Sequence, residues 1–239
     1  LPAPWENDVT GIANLLRSLA FYLCFYLGSI PVVVLAAAMS VAPRPMFRRA
    51  VDRWARWHRV CAEAILGIEV RVEGEMPHGP VLIAMKHESF FEAIDLPRLL
   101  DYPAVFAKAE LMRIPFWGYA ARRYGLVEVE RDQGAKALRK MIAAARERSA
   151  EGRPLAIFPE GTRVPHGQMP ELKSGFAGLY KLLDMPVVAV AVASGPLYHR
   201  WIKRPGTIVY RFSEPIMPGL PRDQAEERVR QAMNALNHP

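Results

Sequence analysis

Short apolar runs alternate with amphipathic stretches along most of this chain, and that alternation sets the expected elements. From Gly67 onward, IEVRVEG reads as a strand, PVLIAM (residues 80–85) as a buried strand, and residues 88–100 as a helix. PAVFAKAEL begins as a strand, GLVEVER is another, and helical spacing of apolar positions predicts a helix over 132–148. PLAIFPEG is a buried strand that ends in a loop, PVVAVAVASG a long β-rich run, TIVYRFSEPI a further strand, and residues 222–236 a closing helix. Continuous apolar runs bounded by turn residues suit strands covered on both faces, whereas a 3.6-residue period suits helices laid over them. The expected fold is α/β, a mostly buried mixed sheet flanked by helices. No internal repeat or low-complexity linker appears, so residues 67–239 read as one domain.

The N-terminal pattern differs. Residues 18–42, SLAFYLCFYLGSIPVVVLAAAMSVA, hold no charged side chain. About 20 apolar residues suffice for a helix to cross a bilayer. Gly28 and Pro31 interrupt the run, and Pro31 lacks the donor a continuous helix requires. The run is therefore either one kinked spanning helix or two shorter helices forming a hairpin in one leaflet. A buried core helix and a cleaved signal peptide are the competing readings. Ser40-Val41-Ala42 resembles a cleavage site, but the run exceeds the roughly 7–15 apolar residues of a signal. Arg44, Arg48, Arg49, Arg53, Arg56 and Arg59 follow, with Phe47, Val51, Trp54, Cys61 and Ile65 at helical spacing beside them. A basic amphipathic helix after an apolar run suits an anionic membrane surface, with Arg48, Arg49, Arg53 and Arg56 turned toward it. The positive flank places the rest of the chain on the cytoplasmic side, which implies the inner (cytoplasmic) membrane of a cell. Residues 1–66 thus read as a membrane-attachment segment plus a basic amphipathic helix. His58 falls on its apolar stripe and reads as a core residue.

Composition changes this picture little. The 239 residues are half apolar and carry a formal charge of +7, enough for one good-sized core and a bias toward anionic partners. Membrane lipids fit that bias; nucleic acid is a poor rival beside an apolar membrane segment. Two cysteines, one of them inside the apolar run, imply no disulfide framework. No metal-ligand cluster appears, and His78, His166, His199 and His238 read as scattered loop residues.

The candidate chemistry begins at KHESFFEAID, residues 86–95. The strand PVLIAM delivers Lys86 and His87 to its carboxyl end, where α/β sheets place their sites. Ser89-x-x-Glu92 matches a capping box, and capping alone would account for Glu92. The same geometry aims its carboxylate back at His87, where it would orient the ring and leave the other nitrogen as a base. Asp95 lies one turn further on and is less well placed. A second segment, Phe158-Pro159-Glu160-Gly161-Thr162-Arg163, follows another buried strand; Gly161 permits an unusual turn, and Arg163 offers a planar fork for a phosphate. A surface turn with a solvated arginine is the plainer account. In a third segment, Lys108-x-Glu110-Leu111 followed by Pro115 and Gly118, Lys108 ends an apolar strand and supplies a second cation.

A histidine with an acid five positions on, then K-x-E-L-x-x-x-P-x-x-G, then F-P-E-G-T-R, resembles the 1-acyl-glycerol-3-phosphate acyltransferase family over about residues 65–215. The resemblance implies a base at His87, an acidic partner at Glu92, phosphate contacts from Lys108 and Arg163, and a substrate-site loop of Glu160, Gly161 and Thr162. It implies transfer of a fatty acyl group from acyl-CoA or acyl-acyl-carrier-protein to the free hydroxyl of a lysophospholipid acceptor, giving phosphatidic acid, with no cofactor and no metal. No G-x-S-x-G elbow is present, which argues against a hydrolase with a serine nucleophile. This chain departs from the family pattern in having Glu92 where aspartate is usual, Lys86 where asparagine is frequent, and Ala189 for a later proline. These departures leave Glu92 and Asp95 both open as the acid and leave the acceptor open to other lysolipids, an aminolipid among them. A non-catalytic protein that recognises anionic lipid is the alternative from another class.

Overall fold

The computed structural model describes residues 4–38, 43–130 and 134–237. Seven strands form one sheet: β1 (Ile68–Glu73), β2 (Leu82–Met85), β3 (Ala104–Lys108), β4 (Val127–Val129), β5 (Leu155–Ile157), β6 (Val187–Val192) and β7 (Gly206–Phe212). Their order is β1-β7-β6-β2-β5-β3-β4. All neighbours run parallel except β6 and β7, so β1 and β7 oppose the other five and the sheet is mixed. The central strands β2 and β6 are buried at every position, which is why their sequences are continuously apolar.

The helices are α1 (Pro4–Tyr22), α2 (Gly28–Ala38), α3 (Arg44–Cys61), α4 (Phe91–Leu99), α5 (Trp117–Tyr124), α6 (Gly134–Ala150), α7 (Ser174–Leu183), α8 (Gly195–Tyr198) and α9 (Arg222–Met233). One core joins Phe21, Phe25, Leu66, Phe91 and Tyr198 to one face of the sheet. The other face packs against Met141, Phe176 and Val229 from α6, α7 and α9. The N-terminal segment therefore shares a core with the sheet.

The apolar run does not turn back at Gly28–Pro31. A π-helical turn, Leu23–Leu27, links α1 to α2, and the path stays helical from Pro4 to Ala38. The widened turn comes just before Pro31, whose missing donor it helps to absorb. Gly28 serves close packing: a Cβ there would come within 2.7 Å of Trp57 Nε1. Ser29 Oγ donates to Phe25 O and accepts from Trp54 Nε1 at 2.9 Å, fastening the segment to α3. The hairpin reading is thus corrected over the described residues; residues 39–42 lie outside them. One stripe of the helix is buried, while Leu16, Leu19, Leu23, Leu27, Ile30 and Val34 are exposed. Residues 10–35 form a helix long and apolar enough to cross a membrane. A contiguous apolar face of this kind is not stable against water.

Three expected boundaries shift for local reasons. The helix expected from residue 88 begins at Phe91, because the amides of Glu88 and Ser89 turn to the Glu92 carboxylate instead. The closing helix stops at Met233, where Asn234 Nδ2 caps Arg230 O. The helix expected from residue 132 is described from Gly134; Asp132 and His238 lie outside the described residues. Helices α5 and α7 have no counterpart among the expected elements.

Candidate active site

Parallel pairing brings the chemistry to one edge. Ala84 of β2 lies beside Ile157 of β5 and Ala189 of β6, and β3 runs parallel to β5. The residues after each strand, His87, Phe158–Arg163, Ser194 and Lys108, consequently emerge at the same carboxyl end of the sheet.

His87 stands just beyond β2. Its Nδ1 is 2.9 Å from Glu92 Oε1, and its ring stacks on Phe158 with centroids 4.2 Å apart. The Glu92 carboxylate is buried and filled with donors. Oε1 also accepts from the amides of Glu88 and Ser89, each at 2.6 Å. Oε2 accepts from Ser89 Oγ at 2.9 Å and Ser194 Oγ at 2.7 Å. Burial alone would raise its pKa; the bond to His87, the imidazole's charge and the amide and hydroxyl donors overcome this and hold it below the usual carboxylate range. Glu92 therefore both closes the capping box and holds the imidazole. With Nδ1 donating to a carboxylate, Nε2 is left as the acceptor, which is the tautomer a general base needs.

Asp95, the other acid left open, points elsewhere. It forms a bidentate pair with Arg59 of α3, its Oδ1 2.9 Å from Arg59 Nε. Burial raises its pKa despite this pairing. His58 is buried in an aromatic cage, 2.8 Å from Tyr198 Oη, and burial pushes its pKa down to about 3. It is a core residue, kept neutral.

The FPEGTR loop divides by residue. Glu160 is buried: Oε2 accepts from the His87 amide at 3.0 Å and Oε1 lies 2.9 Å from Lys86 Nζ. Burial raises its pKa against those partners. Gly161 turns the chain at φ +69°, and Val164 N donates to His87 O at 2.7 Å. Thr162 and Arg163 are exposed, with Arg163 stacked 4.1 Å over the Phe90 ring. Lys108 is exposed at the end of β3. In the segment that follows, a Cβ at Gly118 would lie 2.0 Å from Met112 O, so only glycine permits that turn. Of the arginines expected at a membrane surface, Arg49, Arg53 and Arg56 are exposed on α3, while Arg48 pairs with Asp101 and stacks on Tyr102.

Five neighbours have no site role assigned from the sequence. Lys86 is fully buried and spans Gln168 O at 2.5 Å, Asn234 Oδ1 at 2.6 Å and Glu160, tying α9 to the catalytic edge. Ser194 bridges to Glu92 and could have been sought as the polar residue ending a strand parallel to β2. Glu88 accepts from Ser194 N at 3.0 Å, Gly195 N at 2.8 Å and His166 Nδ1 at 2.9 Å. His166, expected to be a scattered loop residue, thus belongs to the network around the site. His199 also joins it, 2.9–3.1 Å being the usual range and its Nδ1 lying 3.0 Å from Glu88 O.

A histidine held by a buried carboxylate beside a cationic loop is an arrangement suited to proton transfer in a group-transfer enzyme. The model of a family described as "Acyltransferase" matches residues 67–193, and the chain belongs to that family. It is 30% identical to the 1-acyl-sn-glycerol-3-phosphate acyltransferase of Pseudomonas aeruginosa, covering 81% of this chain and 77% of the relative. It is 31% identical to a lyso-ornithine lipid O-acyltransferase of Rhizobium meliloti, over 62% of this chain and 48% of that protein. The crystal structure of the 1-acyl-sn-glycerophosphate acyltransferase of Thermotoga maritima superposes with a TM-score of 0.68 at 26% identity, covering 95% of this chain and 98% of that one. The protein is an acyltransferase of this α/β fold, and its apolar N-terminal helix with these bacterial relatives points to membrane association.

Proposed function

We propose that this protein transfers a fatty acyl group from an acyl thioester, acyl-CoA or acyl-acyl-carrier-protein, to the free hydroxyl of 1-acyl-glycerol-3-phosphate, giving phosphatidic acid. The observation that carries the reading is the His87–Glu92 pair, with Nε2 free beside a cationic loop. His87 Nε2 takes the proton from the acceptor hydroxyl as its oxygen attacks the thioester carbonyl. The new C–O bond forms, the C–S bond breaks, and the leaving thiolate takes the proton from the imidazolium. Glu92 stabilises that imidazolium while it exists. A contribution of about 10²–10⁴-fold is typical of such a base. Lys108 and Arg163 bind the acceptor's phosphate, Glu160 and Gly161 shape the loop, and Thr162 helps hold the acceptor. The apolar helix sits in the inner membrane with the catalytic domain on its cytoplasmic side, where the exposed Arg49, Arg53 and Arg56 meet anionic lipid.

A second reading is favoured by one observation: lyso-ornithine lipid acyltransferases of two bacteria match at 31% and 36% identity. Labelled acyl-CoA and acyl-acyl-carrier-protein, offered with a panel of lysolipids to the purified protein in detergent, decide between the two. Labelled phosphatidic acid as the dominant product supports the first. Preferred acylation of an aminolipid assigns the second, and no transfer to any acceptor overturns both.

A further inference from the structure

A cavity of about 330 Å³ lies at the end of the sheet away from His87. The segments that enter β3, leave α5 and enter β5 meet there, where these parallel strands begin. Arg44, Arg122, Arg123, Arg148 and Arg153 line it together with Glu151, and Glu147 lies 3.5 Å from Arg148 Nη1. Arg153 is the floor. It is buried, its Nε and Nη2 donate to the carbonyls of Tyr102, Pro103 and Tyr124, and its guanidinium stacks 3.8 Å from the Tyr102 centroid. Glu151 is shared between Arg148 Nη1 at 2.7 Å and Arg153 Nη1 at 3.3 Å. Two carboxylates face Arg44, Arg122, Arg148 and Arg153, Arg122 donating among the described residues only to the neutral Met112 carbonyl, and the remaining excess focuses a positive field that an anion would relieve. Planar arginine forks match phosphate in geometry as well as charge.

The surroundings favour a lipid as the source of that phosphate. Arg44 opens α3 next to the apolar N-terminal segment, and α2 of that segment packs on α5. Tyr119 of α5 lines the cavity, and Phe116, one turn earlier, is 61% exposed. A basic floor with an apolar lip, beside an apolar helix, suits a molecule with an anionic head and an apolar tail. We propose that this cavity binds the phosphate of an anionic membrane lipid, at a site separate from the one that performs acyl transfer. The inference does not depend on the acceptor assigned above.

The test uses the whole chain in non-ionic detergent with a photoactivatable phosphatidylglycerol, labelled peptides being identified by mass spectrometry. Saturable labelling of peptides containing Tyr119 or Arg148 is expected, with a photoactivatable phosphatidylcholine failing to label them. Arg44→Gln combined with Arg148→Gln should weaken labelling about tenfold or more. Glu151→Gln should strengthen it, a gain that a folding defect does not produce. Labelling indifferent to these substitutions, or confined to other peptides, overturns the proposal. Inorganic phosphate or a soluble phosphate ester competing as well as the lipid overturns the lipid assignment.

Discussion

Two histidine–glutamate pairs stand side by side at the carboxyl edge of the sheet, and both have the same 2.9 Å separation. They differ in what surrounds the carboxylate. Among the described residues, Glu92 receives five hydrogen bonds, from His87, two amides and two hydroxyls. Glu88 receives three. Both are buried, yet the Glu92 pKa lies below the ordinary carboxylate range whereas burial, the largest cause, raises that of Glu88. The contact distance is therefore uninformative; the number of donors decides in which direction burial leaves each carboxylate's pKa. A negative charge is what a histidine base needs beside it, and the surroundings of Glu92 favour that charge more than those of Glu88 do. The second pair joins His166, on the loop after Arg163, to Glu88 after β2, and Glu88 braces Ser194, which in turn holds Glu92.

The largest way to break this contrast is Glu92→Gln. It should lower acyl transfer by about 10²-fold or more, because an amide cannot accept from all five donors. Asp95→Asn should instead lower the melting temperature, since breaking a buried ion pair costs about 3–5 kcal/mol, while turnover per folded molecule stays within a few-fold. The reverse ranking in kcat, measured on both folded variants, would make Glu92 merely a helix cap.

Removing Lys108 or Arg163 tests the loop rather than the pair. Each alanine variant should raise the acceptor KM by about one to two powers of ten with little change in kcat, as expected when a contact worth roughly 1.5–3 kcal/mol is made equally before and during reaction. A fall in kcat with KM unchanged would place these cations on the transition state instead.

Stability against pH sharpens the contrast. Glu92, with its lowered pKa, contributes stability that is present above the ordinary carboxylate range and is lost as pH falls through its folded value. Glu88, with its raised pKa, acts oppositely: stability declines as pH rises from the ordinary range through its folded value. Glu88→Gln should therefore leave the protein as stable or more stable near neutral pH, and Glu92→Gln less stable. Melting curves across pH that show the same sign for both would remove the distinction.

The smallest effect concerns α3. Glutamines at Arg49, Arg53 and Arg56 should weaken binding to anionic vesicles by about 1 kcal/mol each and leave turnover on detergent-dispersed substrate unchanged. Vesicle binding indifferent to all three would detach α3 from the membrane surface.

The parts legible in the sequence were those encoded locally. Strands β2 and β6 are continuous apolar runs, and the Glu92–His87 contact follows from a capping box spaced within one turn. Helix α5 was not legible because its eight residues are too few to show a period and Gly118 argues against a helix until the carbonyl of Met112 is known to press on it. Helix α7 carries Gly175 and Gly178 and reads poorly for the same kind of reason. The sequence places Lys86 at the strand end beside His87 but names no partner for it; Gln168 and Asn234, which it reaches, lie 82 and 148 positions away. Likewise His166 and Ser194 reach Glu88 and Glu92 only through the parallel pairing of β2, β5 and β6. Contacts of that range depend on strand order, which no local pattern states.

The central claim is that His87 Nε2 is the base for acyl transfer. The most direct test is single-turnover transfer from labelled acyl-CoA or acyl-acyl-carrier-protein to 1-acyl-glycerol-3-phosphate by His87→Ala, in a protein whose melting curve matches the parent. The account predicts a rate lower by about 10²-fold or more. Transfer at near the parental rate by the folded variant would contradict it.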